Sequence, residues 1–193
     1  MPNWCHNYLR ISGEPKEVAL FKERAAGPTQ NYNHYDSVGS WPAFENVRLK
    51  AIWQVLPEPG KWEVLSFHKL YPIPDHVLRL PYDCNQARKV GGVLGIEVEG
   101  GGYHWEAKLW GVKWGAVNPY LEDDGEDYLF YNFDTPWGPP ISFLEKVSAD
   151  WPNLKFELEW ETEGDSVRGF FDCQNGAGEY NEEKIFESEE LDE

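Results

Sequence analysis

YLFYNFDTPWGPPISFLEKVSADWPNLKFELEWET, residues 128–162, carries a complete strand–helix–strand unit. From Tyr128 to Asp134 the residues alternate, with Leu129, Tyr131 and Phe133 on one face, which is the two-residue period of a strand. Pro139 and Pro140 then open a helix, because a proline ring suits a first turn whose N–H groups have no internal partner. Ile141, Leu144, Val147 and Trp151 share one helical face, and Pro152 ends the run. Phe156, Leu158 and Trp160 alternate with Glu157, Glu159 and Glu161. That pattern predicts a half-buried strand with an acidic outer face.

The N-terminal stretch repeats the plan. Trp4–Ser12 reads as a strand stopped by Gly13, and Pro15 starts a helix with Val18, Phe21 and Ala25 on one face and Gly27 as its stop. Two strand–helix–strand units make an α+β chain with a ferredoxin-like split βαβ antiparallel sheet, helices on one face, and an insertion between the halves. Between the units, Pro28–Trp41 reads as a loop. Pro42–Leu56 reads as a short helix with Phe44, Val47, Ala51 and Val55 on one face. Val64–Leu70 and Trp105–Trp110 read as strands, Asp75–Lys89 as a short helix or two turns, and Gly91–Gly102 as a hairpin or loop. Arg168–Gln174 makes one more strand, after which NGAG turns the chain out. One domain over residues 1–181 is expected, its insertion at roughly 71–104, with an acidic, mobile tail over 182–193.

Composition bounds the partners. The chain has 193 residues, a formal net charge of −17, and 10 Trp, 10 Tyr and 10 Phe. With 17 basic residues against 34 acidic ones, direct nucleic-acid binding is disfavoured, because displacing counterions from phosphates needs a Lys/Arg stripe. The same balance argues against anionic membrane surfaces, and no apolar run approaches the ~18 residues that cross a bilayer. Cys5, Cys84 and Cys173 are odd in number and far apart. That argues against a disulfide framework and, with no signal peptide in the opening residues, predicts a cytoplasmic protein.

Little of the chain has the spacing that catalysis or metal binding requires. His6, His34, His68, His76 and His104 lack zinc-ligand spacing. The acidic run Glu122–Asp127 does not match a calcium loop and reads as a solvated hairpin turn. The glycines from Gly91 to Gly102 form no phosphate-binding motif. Cys5 and His6 are neighbours on a strand and so point to opposite faces. No cofactor, metal or catalytic set is therefore expected.

Two tryptophan words stand apart. In WGVKWGA, Trp110, Lys113 and Trp114 put a cation between two large rings, with Gly111 and Gly115 permitting close backbone approach. In FDTPWGPP, Asp134 and Thr135 stand beside Trp137 at a strand-to-helix junction, where free backbone N–H groups can receive an anion. These six residues are the expected ligand-binding set. The structural alternative is that the rings pad the sheet while Asp134 and Thr135 cap the helix.

MPNWCHNYLRISG, LSFHKLYPIP, WGVKWGA, FDTPWGPP and FELEWETEG…GFF, in this order, resemble the YubB-like family, found largely in phages and plasmids and of unknown function. Typical family forms are close to WGTKWD and FDTAWSPP. Here Val112 stands for the Thr, Gly115 for the Asp, Pro136 for the Ala and Gly138 for the Ser. The resemblance implies a ferredoxin-like C-terminal part and a mobile-element setting, with no catalytic residue to carry over. The expected function is non-enzymatic binding that interferes with host defence or physiology, by holding a host protein or sequestering a nucleotide-like small molecule. The alternatives are an acidic mimic of nucleic acid that inhibits a DNA-binding host protein, and an enzyme acting on a nucleotide through Lys113, Asp134 and Glu161.

Overall fold

The computed structural model describes residues 3–35, 46–164 and 166–184. In chain order its elements are β1 (Trp4–Ser12), α1 (Pro15–Ala25), β2 (Gly27–Pro28), α2 (Asn46–Trp53), β3 (Trp62–Glu63), α3 (Phe67–Leu70), α4 (Asp75–Leu78), α5 (Cys84–Leu94), α6 (Gly102–Leu109), β4 (Val117–Asp124), β5 (Tyr128–Pro136), α7 (Ile141–Asp150), β6 (Lys155–Thr162), β7 (Val167–Gln174) and β8 (Ala177–Lys184). Six strands form one sheet in the order β4-β5-β1-β6-β7-β8, antiparallel at every pairing. Its first four strands are the ferredoxin-like arrangement, in which β5 lies between β1 and β4, and β1 lies between β5 and β6. The β7–β8 hairpin extends the sheet beyond that plan.

Alternation sorts each strand into a dry and a wet side. Leu9 of β1 lies opposite Tyr131 of β5 and Leu158 of β6, and all three are buried. Helices α1 and α7 cover this side with Val18, Phe21 and Ala25, and with Phe143, Leu144 and Val147. Phe21 meets Phe156 edge to face at 5.6 Å. Tyr8, Glu159 and Phe170 share the opposite, open side.

The insertion is wider than its sequence suggests. The chain leaves the sheet after α1 and rejoins it only at Val117, so residues 26–116 are the excursion between the first helix and the second strand of the plan. Val64–Leu70 is not a strand: after the two-residue β3, Ser66 caps the short helix α3 by accepting from the Lys69 N–H at 3.2 Å. Nor is Trp105–Trp110. It lies mostly in α6, whose turn puts Glu106 and Trp110, four apart, on the same buried side. In α2 Leu49 is buried and Ala51 exposed, as is Val55 just beyond the helix; Phe44 and the side chain of Val47 lie outside the described residues. Helix α5 runs into the glycine-rich stretch and stops at Gly95 in the left-handed region (φ 72°).

The hairpin ends also differ from expectation. Glu122–Asp127 does bound a hairpin turn, closed by Gly125 N–H donating to Tyr128 O at 2.9 Å. Its first arm, β4, is polar, contains Pro119 and is irregular in register, as an edge strand permits. Asn175 and Gly176 (φ 51° and 78°) make a tight turn into β8, so Glu182, Glu183 and Lys184 belong to the sheet; the rest of the acidic tail lies outside the described residues.

Phe67 joins the excursion to the core. Its ring stacks on Phe143 of α7 at 3.6 Å and meets Trp110 and Phe133 edge on, each at 5.7 Å. Substitution Phe67→Ala is expected to cost about 3–5 kcal/mol, the usual cost of emptying a buried aromatic site, read from the midpoint of urea unfolding.

Candidate functional site

The loop from Trp110 to Ala116 links α6 to β4 at the end of the sheet where β1 begins and β5 ends. Gly111, Trp114 and Gly115 all have left-handed backbone, with φ of 79°, 69° and 70°. Trp137, just beyond β5, has φ 67°. A left-handed backbone costs a side-chain-bearing residue roughly 1–2 kcal/mol, so two tryptophans held this way are strained. Both are also exposed, Trp114 by 38% and Trp137 by 56%.

The two rings share one cation. Lys113 Nζ lies 4.1 Å from the centre of the Trp114 ring and 3.7 Å from that of Trp137, with Tyr103 at 6.0 Å. Partial burial lowers the Lys113 pKa, against the pull of the Glu106 charge. Each contact at an exposed site is worth about 0.5–1 kcal/mol. Trp4 flanks the group, its ring 6.2 Å from Trp114. The Trp137 N–H donates to Asn3 O at 2.7 Å, tying this residue to the start of the chain.

Beneath the loop is a buried carboxylate. Glu106 is fully buried and accepts from Tyr32 OH (2.6 Å), Tyr82 OH (3.1 Å), Gln30 Nε2 (3.0 Å) and the Trp114 N–H (2.7 Å). Burial raises its pKa, and the four donors oppose that rise. The Trp114 bond sets the strained backbone directly. Glycine makes the convergence possible, because a Cβ on Gly102 would lie 2.2 Å from the Tyr32 ring and one on Gly101 would lie 2.1 Å from Pro81 O.

The expected ligand-binding residues therefore divide. Lys113, Trp114 and Trp137 come together at the surface. Trp110 is fully buried, edge on to Phe67 and Trp105, and donates from Nε1 to Tyr71 O at 3.2 Å. Thr135 is also fully buried, accepting from Asn7 Nδ2 at 2.8 Å and donating to Gly138 O at 2.7 Å. Asp134 turns to the open sheet side and bonds His6 Nδ1 at 2.7 Å. Neither Asp134 nor Thr135 caps α7, whose N-cap is Pro140 with no side-chain bond. Pro139 and Pro140 lack N–H groups, so the junction offers an anion fewer donors than its position suggests. Among the described residues no hydrogen bond or ion pair joins Lys113, Asp134 and Glu161 to one another; Glu161 accepts from Tyr8 OH at 3.1 Å.

Sequence reasoning missed Glu106, Tyr103, Trp4 and His6. A strand over Trp105–Trp110 hides the first, since only a helix carries Glu106 under the loop. The remaining three are brought in by β1 and α6 across long separations. His6 also bonds Glu163 through Nε2 at 3.1 Å, so its two nitrogens clamp β5 to the end of β6. Burial lowers its pKa, but the bonds and charges of Asp134 and Glu163 raise it more. Cys5, on the other side of β1, is buried and its thiol is pushed up to about 12.

Residues 114–193 match the family model described as the ferredoxin-like domain in Api92-like protein. The match begins at Trp114, so β1 and α1 complete the sheet from outside the matched segment. The crystal structure of a protein api92 from Yersinia pseudotuberculosis superposes with a TM-score of 0.60, covering 96% of this chain and 100% of that one, at 12% identity. That likeness is one of fold. No curated protein matches the chain. No helix among the described residues is long and apolar enough to cross a membrane, and none of their His, Cys, Asp and Glu groups is placed to hold a metal ion.

Two measurements check the site's construction. Substitution Glu106→Gln leaves one buried donor without an acceptor and is expected to cost about 1–3 kcal/mol in urea unfolding, with a red shift of tryptophan emission as the Trp114 loop loosens. For His6, a raised folded pKa means its contribution to stability is complete below the unfolded value of about 6.5. That contribution is lost as pH rises through the folded pKa. The NMR titration of His6 is expected to lie above that of a model histidine, and His6→Asn to remove this part of the pH dependence of the melting temperature.

Proposed function

We propose that this chain is a non-enzymatic binding protein that takes a nucleotide-like small molecule on Trp114, Trp137 and Lys113. One observation carries the reading: two exposed tryptophans in strained, left-handed backbone converge on a single lysine. The backbone bonds of Trp114 to Glu106 and of Trp137 to Asn3 hold the strain in place, and residues strained in this way cluster where a ligand is held. Exposed indoles offer stacking surfaces to any planar base. The weak cation–π contacts of Lys113 can be exchanged for a charge-assisted bond to a phosphate.

The resemblance to the YubB-like family supports a phage- or plasmid-borne setting. In a host cytoplasm, sequestering such a molecule would interfere with defence or physiology; a host protein that presents an aromatic and anionic surface is the other partner of this kind. Binding to the folded state raises the melting temperature by mass action. At a hundredfold excess over Kd the gain is about 2.7 kcal/mol, or roughly 5–10 °C for a chain of this size.

A thermal-shift and tryptophan-quenching screen of mononucleotides and cyclic dinucleotides tests the reading. Substitution Trp137→Gly relieves the strained backbone, so it is expected to leave the melting temperature equal or higher while abolishing the ligand-induced shift. A screen with no shift, or a shift that survives in Trp137→Gly and Lys113→Ala, overturns it.

A further inference from the structure

Away from the tryptophan loop, the helix-free side of the sheet has its own chemistry. Strand β6 presents Glu157, Glu159 and Glu161 there, and Glu159 lies in register between Tyr8 of β1 and Phe170 of β7. Tyr8 and Phe170 are exposed by 36% and 44%. A concavity of about 960 Å³ spans this region, with Tyr8, Phe130, Glu157, Glu159, Phe170 and Asp172 among its lining. It lies across five adjacent strands, β5, β1, β6, β7 and β8, long enough to seat an extended segment of chain.

The charges here are unevenly satisfied. Lys155 pairs with Glu157 at 2.5 Å and with Asp172 at 3.6 Å, and Arg168 pairs with Glu183 at 2.6 Å. Glu161 accepts from Tyr8 OH, and Arg10 lies over the Tyr128 ring at 4.7 Å. Glu159, in the middle, has no hydrogen-bond or ion-pair partner among the described residues, and it is exposed. An unpaired carboxylate between two aromatic side chains is complementary to a cation carried on an apolar stem. Guanidinium suits it better than ammonium, because it stacks on rings and pairs with carboxylate at once.

We propose that this open sheet face docks a basic segment of a partner protein, with an arginine side chain entering between Tyr8 and Phe170 to meet Glu159. Charge complementarity names the occupant. Five carboxylates, Glu157, Glu159, Asp172, Glu182 and Glu183, line the concavity against two guanidinium groups, Arg10 and Arg168, and the whole chain carries a net −17. A phosphate backbone would be repelled, whereas a basic peptide is drawn in and its aliphatic stems cover Phe130 and Phe170. This surface is separate from the tryptophan loop and does not depend on the nucleotide-like ligand.

Fluorescence anisotropy of a labelled octa-arginine peptide, with octa-glutamate as control, against the full chain tests the proposal. Binding is expected at low salt, weakening as salt screens the charges. Glu159→Lys should weaken it by about tenfold or more, and Glu159→Gln and Phe170→Ala should each weaken it less. All three variants change exposed positions, and melting curves confirm that they are folded. Trp137→Gly should bind the peptide as the unchanged chain does, which separates this face from the loop. Failure to bind octa-arginine at low salt overturns the proposal. So does binding that Glu159→Lys and Phe170→Ala leave untouched, since the attraction would then belong to the chain's overall charge.

Discussion

A carboxylate with almost no access to water organises the upper half of this molecule. Glu106 can be buried only because four donors reach it from three parts of the chain, and an incomplete set would leave a buried charge unsatisfied. The loop bearing Gln30 and Tyr32, the approach to α5 at Tyr82, helix α6 and the Trp114 loop are thus held at one point. Gly101 and Gly102 serve this convergence by omitting side chains where Tyr32 and the Pro81 carbonyl must pass. The strained backbone of Trp114 is one of the bonds in the set, so the surface cluster is built from below.

The lower half rests on a plainer constraint. A sheet with helices on one side buries one set of alternating residues and leaves the other to solvent or a partner. Here the dry side holds Leu9, Tyr131, Leu158 and Phe171, and the wet side carries the carboxylates of β6 with aromatic residues between them. The two halves meet through Phe67 and Trp110, whose rings lock the excursion onto α7 and β5. Fold and surface chemistry are divided accordingly: the excursion brings the tryptophan loop, and the sheet brings the acidic face.

The added β7–β8 hairpin shows how small features set this geometry. A Cβ at Gly169 would lie 2.3 Å from Asn181 O and 2.7 Å from Trp160 Cζ2, so the strand passes here only without a side chain. That gap lets Trp160 and Tyr180 stack at 6.1 Å across the intervening strand. Strand β8 is exposed along its whole length and offers no buried alternation, which is why AGEYNEEK does not announce itself as a strand.

Regular periodicity made β1, α1, β5, α7, β6 and β7 legible, because each buries one face against a continuous core and its residue pattern records that face. The WGVKWGA and FDTPWGPP words likewise marked Lys113, Trp114 and Trp137 by composition. Sequence alone could not separate them from Trp110 and Thr135, which carry the same chemistry but face inward. It also misread 64–70 and 105–110, short apolar runs in which strand and helix patterns coincide and only packing around Phe67 and Glu106 chooses. Local residue order therefore determined the strands and helices of the core and its acidic outer face. Only the tertiary structure decided which tryptophans meet Lys113, that Glu106 lies beneath them and that Glu159 stands between Tyr8 and Phe170, because each of those contacts joins residues that no local pattern couples.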